Sequence, residues 1–240
     1  MKTYRTDRDR LDAKESRLAT KLVKHFDFIR NEVVDLASRV VVKDANTNII
    51  EYIVGIVGNQ IVFDIEEAAK DVYVDESQRL QEAINLSIGF EAVNKGAETY
   101  LAERDEIIKK INNTTKSEIA RILERAIQGE ATQEDLIEQL RGSYALSRNR
   151  AEMIASNELG EAYVQGTNRT AQRLAVENDV VFEKQWDNVG DSNVTQGCTH
   201  NETLGWKPQE FEFPNIDGLG GGDPPRFPGC RCTLDWRVID

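Results

Sequence analysis

Cys198 and His200 stand one residue apart, and so do Cys230 and Cys232. Together they are all three cysteines and one of the two histidines of a 240-residue chain. Thiolate and imidazole are the ligands of closed structural zinc sites, and Cys3His is one of the recurrent sets. Spacing within a zinc pair is usually about two to four residues, so a one-residue spacing departs from the pattern. The same residues admit three other readings: a Cys198 disulfide, a nucleophile, and apolar packing. Three cysteines form at most one disulfide and leave a thiol over, which suits a reducing compartment. A thiol hydrolase assembles its cysteine and histidine from separate parts of the chain, whereas Cys198 and His200 are near neighbours and His25 lies in a distant helical part. Packing has its own support in the alternation that follows. Cys230, Cys232, Leu234, Trp236 and Val238 fall on one face of a strand, with Arg231, Thr233, Asp235 and Arg237 on the other. Free cysteine is among the most buried residue types.

The elements that must position these residues change character along the chain. All five prolines and all three tryptophans lie after residue 185, as do half of the 16 glycines. Before that point the sequence reads as helix, with spaced apolar residues in Lys21 to Val42, Glu66 to Lys95 and Glu98 to Ile111. INNTTKSE, from Ile111 to Glu118, is the most turn-like interruption, so the chain divides into a helical region over 1–112 and a second domain over 113–240. Ile119, Ile122, Leu123, Ala126 and Ile127 form the next apolar stripe, with Gly129 as its stop signal. Thr132 and Ser147 are placed to start the two helices after it, and Gly142 to end the first of them. On the longer helix Ala151, Ile154, Ala155, Glu158, Ala162, Gly166, Ala171 and Leu174 share a face, where the small residues Ala162 and Gly166 allow close approach of another element. VVFEKQW then turns to period two, placing Val180, Phe182 and Trp186 together, with Lys184 breaking the pattern. The fold class is therefore α+β: a mostly helical N-terminal part, then a C-terminal domain of helices with a small β-sheet.

Composition bounds the function. The chain is 40% hydrophobic and 30% charged, enough for a real core. A net charge of −12 and a pI near 4.8 argue against a dedicated nucleic-acid binder. The first 30 residues differ, with nine lysines and arginines against five acids, so this end alone suits DNA or an acidic partner. The most apolar run, Ile49 to Phe63, is too short to span a bilayer and contains Glu51, Asn59 and Gln60, so it reads as buried structure. MKTYRTDRDR lacks the apolar core of a signal peptide, which points to a protein kept in the cytoplasm. GLGGGD, from Gly218 to Asp223, lacks the lysine of a phosphate loop and precedes prolines rather than a helix, so it reads as a flexible connector.

Taken in order, Arg150 and Ala151, then Ile154, Ala155, Glu158, Ala162 and Gly166, then Trp186, DSNVTQGCTHNETLGW, and PPRFPGCRCTL with its Pro225, resemble the Mu F-like head morphogenesis proteins of tailed bacteriophages. The resemblance covers about residues 117 to 236; the part before it looks only generically helical. It implies a minor capsid protein, present in few copies, that binds the portal and other head proteins. Such a protein is assembled in the host bacterial cytoplasm, resides in the virion, and in some relatives is ejected with the DNA. The resemblance implies no enzymatic activity, and no cofactor is expected apart from the zinc that the cysteines and His200 could hold. Some relatives carry a toxin domain after the Cys-x-Cys strand; this sequence ends at Asp240, so none is expected. The alternative is a zinc-containing effector or nucleic-acid-processing enzyme delivered with the phage genome.

Two departures from the family pattern bear on the site. Phe227 stands where many relatives have a histidine before Cys-Arg-Cys, and Asn157 precedes Glu158 where Thr-Glu is common. Unless His200 replaces the lost histidine as a zinc ligand, the cysteines form a packed corner whose prolines fix the approach to the last strand, and chelators have no effect. Glu158 is expected to be buried and hydrogen-bonded to an arginine or to backbone amides of the C-terminal part.

Overall fold

Leu11, Leu18, Leu22, Phe26, Ile29 and Val33 recur at helical spacing, and the first helix, α1 (Arg8–Arg39), buries all six. Asp7 begins it, accepting the amide of Arg10 at 3.2 Å. The structure is a computed structural model and describes residues 2–39, 47–127 and 132–239. Helices α2 (Thr47–Ile84), α3 (Phe90–Ile127) and α4 (Gln133–Gly142) follow, then a 3-10 turn at Tyr144–Leu146 and α5 (Arg148–Asn178). Strands β1 (Lys2–Tyr4), β2 (Val181–Asp187), β3 (Lys207–Pro208) and β4 (Thr233–Ile239), with helix α6 (Gln196–Thr203), complete the described elements. The strands form one antiparallel sheet in the order β1-β4-β2-β3. The architecture is α+β, as the sequence indicates. No helix among the described residues is long and apolar enough to cross a membrane.

The cap readings hold in atomic detail. The Thr132 hydroxyl accepts the amide of Asp135 at 3.1 Å, and the Asp135 carboxylate accepts the amide of Thr132 at 2.9 Å. The Ser147 hydroxyl accepts the amide of Arg150 at 3.2 Å at the start of α5. Two helix boundaries differ from expectation. The helix read over Glu66 to Lys95 is broken after Ile84, where Asn85 takes a φ of 55° and the Gln81 side chain accepts the amide of Ile88 at 2.7 Å. Conversely, INNTTKSE is an interior stretch of α3. Its polar residues turn inward. Asn112 and Thr115 are buried, and Gly58 leaves room for Asn112, since a Cβ at that glycine would lie 2.2 Å from Asn112 Nδ2. In the Ile49 to Phe63 run, Val57 and Ile61 are buried but Phe63 is 56% exposed. Val42, Gly129 and the side chains of Leu123, Ala126 and Ile127 lie outside the described residues.

The chain forms two compact units. One comprises Met1–Glu15, Glu67–Glu103 and Ala155–Asp240; the other comprises Ser16–Glu66 and Arg104–Ile154. The division expected at 112/113 falls inside α3, and each unit draws on both sides of it. One reason is β1, which pairs Lys2 with Val238 and Tyr4 with Trp236, so the first residues belong to the sheet built by the last. In the same unit Gly166 of α5 meets the backbone of α2: a Cβ there would lie 2.7 Å from the Tyr73 carbonyl oxygen. Ser77 fills the contact, its hydroxyl lying 2.6 Å from the Tyr73 carbonyl and 3.1 Å from that of Gly166. The sheet's inner face is Phe182, Lys184 and Trp186 of β2 with Leu234, Trp236 and Val238 of β4.

Candidate functional site

The segments around the cysteines form a corner between α6 and the approach to β4. Thr195 caps α6, its hydroxyl accepting the amide of Cys198 at 3.3 Å, which places Cys198 in the first turn. The carboxylate of Asp217 lies against the same turn, accepting the Gly197 amide at 2.9 Å and the Thr195 hydroxyl at 2.6 Å. Asp217 in turn holds Arg226, which it meets with both oxygens; the longer contact, Nη1 to Oδ2, is 3.4 Å. Arg226 Nε donates to the Gly220 carbonyl at 2.6 Å and Nη2 to Asn215 Oδ1 at 3.3 Å. GLGGGD is therefore a frame around a buried guanidinium and not a free connector. Gly220 has a φ of 138°, and a Cβ on it would lie 2.5 Å from the Arg226 carbonyl oxygen. Gly197 is equally constrained: its Cβ would lie 2.2 Å from Arg226 Nη1. Hydrogen bonding from Arg226, then from Thr195, holds the Asp217 carboxyl well below the usual range. Burial works against the Arg226 charge, yet Asp217 more than offsets it and raises the pKa.

Cys230 and Cys232 complete the corner. The Gly229 amide donates to Asn157 Oδ1 of α5 at 2.7 Å, and the Cys230 amide to the Phe227 carbonyl at 2.9 Å, which turns the chain into β4. The sulfurs of Cys198, Cys230 and Cys232 all lie within 4.8 Å of one another, all three residues are buried, and none is in a disulfide. Arg226 Nη1 lies 3.9 Å from Cys198 Sγ. A hydrogen bond from the Cys232 thiol, aided by the amides of Arg226 and Cys232, pulls the Cys230 thiol down to about 6 against the effect of burial. The same bond, with burial, pushes Cys232 up. His200 sits in the last turn of α6 and is not part of the cluster, which among the described residues consists of the three cysteines alone. The sequence-level set of four is brought together only in its sulfur members.

The other motif residues are structural anchors. Arg150 is buried and donates to Thr115 Oγ1 and the Ile111 carbonyl, each at 2.7 Å, and to the Ala145 carbonyl. Glu158 is 4% exposed, as expected; the tie seen between α5 and the cysteine loop is made by its neighbour Asn157. Trp186 is buried edge-on against Phe213, with ring centroids 5.1 Å apart, and Pro225 follows a cis peptide bond in the half-buried approach to Arg226.

Sequence reasoning missed Asp217, Arg226, Asp223 and Arg231. Lys184, which broke the strand alternation, is the signal that led to one of them: it faces the core and pairs with Asp223 at 2.6 Å. Arg231 binds Asp12 at 2.6 Å, Asp191 at 3.0 Å and Glu15 at 3.4 Å, tying the Cys-Arg-Cys segment to the start of α1.

The framework is α+β, and the motif residues Arg150, Glu158, Trp186, Cys230 and Cys232 are all interior. The family described as Phage Mu protein F like protein matches residues 117–235, and the chain belongs to that family. It is a phage head morphogenesis protein and a component of the virion. No curated protein and no solved structure matches the chain.

Proposed function

We propose that this protein is a minor head component that acts by docking onto the portal and neighbouring head proteins, and not by catalysing a reaction. The observation that carries this reading is the burial of Arg150, Glu158, Trp186, Cys230 and Cys232: the residues of the family motifs build a framework and present no reactive group at the surface. Cys198, the remaining thiol, is 0% exposed. The surface offers apolar side chains for docking instead, among them Phe28 at 51% and Phe90 at 65% exposure.

The basic start of the chain supports a protein partner better than DNA. Arg8, Arg10, Lys14, Lys21 and Arg30 all meet carboxylates, which offsets much of that charge. Contact with packaged DNA, and ejection with it, are secondary parts of the proposal.

Coexpression with the cognate portal and major capsid proteins tests it. The chain should copurify with portals at a fixed, low copy number and remain in assembled heads. Absence from both, with normal heads in its absence, overturns the reading.

A further inference from the structure

All three cysteines meet at one buried point although they arrive from two segments, α6 and the entry to β4. We propose that Cys198, Cys230 and Cys232 bind one zinc ion as three thiolate ligands, with His200 outside the set. A tetrahedral site with Zn–S bonds of about 2.3 Å separates its sulfurs by about 3.8 Å. The sulfurs here are no more than 4.8 Å apart, so closing on the ion takes shifts of less than about 1 Å each, which side-chain rotation supplies.

Two further features fit a metal better than packing alone. Cys198 Sγ is approached by the Arg226 guanidinium at 3.9 Å, and Asp217 holds that donor in place. Donors aimed at a ligating atom are the outer layer that orients a metal site, and a guanidinium offsets the negative charge of zinc with three thiolates. In addition, between β2 and β4 the described regular structure consists of α6 and the two residues of β3, so a cross-link from α6 to the entry of β4 is the kind of fastening structural zinc provides. Binding releases the thiol protons as the ligands become thiolates.

The test uses the full chain, purified reduced and without chelator. Elemental analysis should find about one zinc per chain, and cobalt exchanged into the unaltered protein should show thiolate-to-metal absorption of three-thiolate strength. Cys198→Ser and Cys230→Ser should lower zinc to background, while His200→Ala should keep it. A protein that takes up neither zinc nor cobalt stoichiometrically, whether its thiols are free or in a disulfide, overturns the proposal. Loss of zinc in His200→Ala overturns the three-thiol set. The cobalt spectrum needs no variant, so a cysteine variant that fails to fold does not remove the test.

Discussion

Two buried arginines, one in each compact unit, are held by opposite means. Arg150 lies among uncharged acceptors, the Thr115 hydroxyl and the carbonyls of Ala145 and Ile111, with its guanidinium carbon 5.4 Å from the centre of the Phe26 ring. Burial lowers its pKa. Arg226 lies against a carboxylate, and its pKa is raised in spite of burial. The difference follows from the surrounding backbone. Helices and the 3-10 turn present carbonyls in fixed directions, so a guanidinium there finds its acceptors ready oriented. The loops around Arg226 have no such array, and Asp217 supplies both the acceptor and the charge. What each arginine leaves behind when removed should therefore differ.

The largest effect is expected at Arg226. Arg226→Met keeps much of the side-chain volume but takes a donor from the Gly220 carbonyl, Asn215 and Asp217, leaving the Asp217 charge to Thr195 and the Gly197 and Leu219 amides, and it should cost more stability than any change at Arg150. Asp217→Asn keeps an acceptor beside the guanidinium and should cost less. Denaturant unfolding of both variants measures this. If Arg226→Met proves no more costly than the matching change at Arg150, the contrast between charged and neutral holding is wrong.

Arg150→Met is the matching change. It removes three hydrogen bonds but strands no opposite charge, so the expected loss is about 2 to 3 kcal/mol. Arg150→Lys should recover little of it, because an ammonium cannot fork between Thr115 and Ile111 as the guanidinium does. A fully stable lysine variant would show that charge alone, and not the forked geometry, holds this position.

The same contrast explains what was legible in the sequence. Periodicity exposed the α5 face, the inner face of β4 and the burial of Cys230 and Cys232, because those depend on local spacing alone. Capping residues gave the starts of α4 and α5 for the same reason. INNTTKSE misled because its turn-like composition serves tertiary contacts: Asn112 fits over Gly58 and Thr115 receives Arg150. Asp217 and Arg226 were hidden because their meeting depends on loop glycines whose φ angles no local pattern announces. The two units were hidden as well, since β1 joins β4 from the far end of the chain.

The smallest effect sharpens the comparison most, because it concerns a half-buried carboxyl in the sheet-bearing unit that, like Arg150, is hydrogen-bonded to uncharged groups. Asp235 of β4 accepts the Thr6 amide at 3.0 Å, yet burial, reinforced by nearby Asp187, pushes its pKa up to about 6. The folded pKa lies above the ordinary value of 3.8, so the fold favours the protonated form. The stability this group contributes is complete below about pH 4 and is lost as pH rises through about 6. Asp235→Asn keeps an acceptor for Thr6 and carries no charge to desolvate. At about pH 7.5 it should be more stable than the parent by about 1 to 2 kcal/mol, a figure reduced for the partial exposure of the site. Near pH 4 the two should melt together, because the parent carboxyl is then neutral. Paired melting curves at the two pH values measure the difference. An asparagine variant that is less stable at both, or whose advantage does not depend on pH, would mean that the Thr6 amide holds Asp235 as a carboxylate. A neutral donor in the loops would then do what Asp217 does for Arg226.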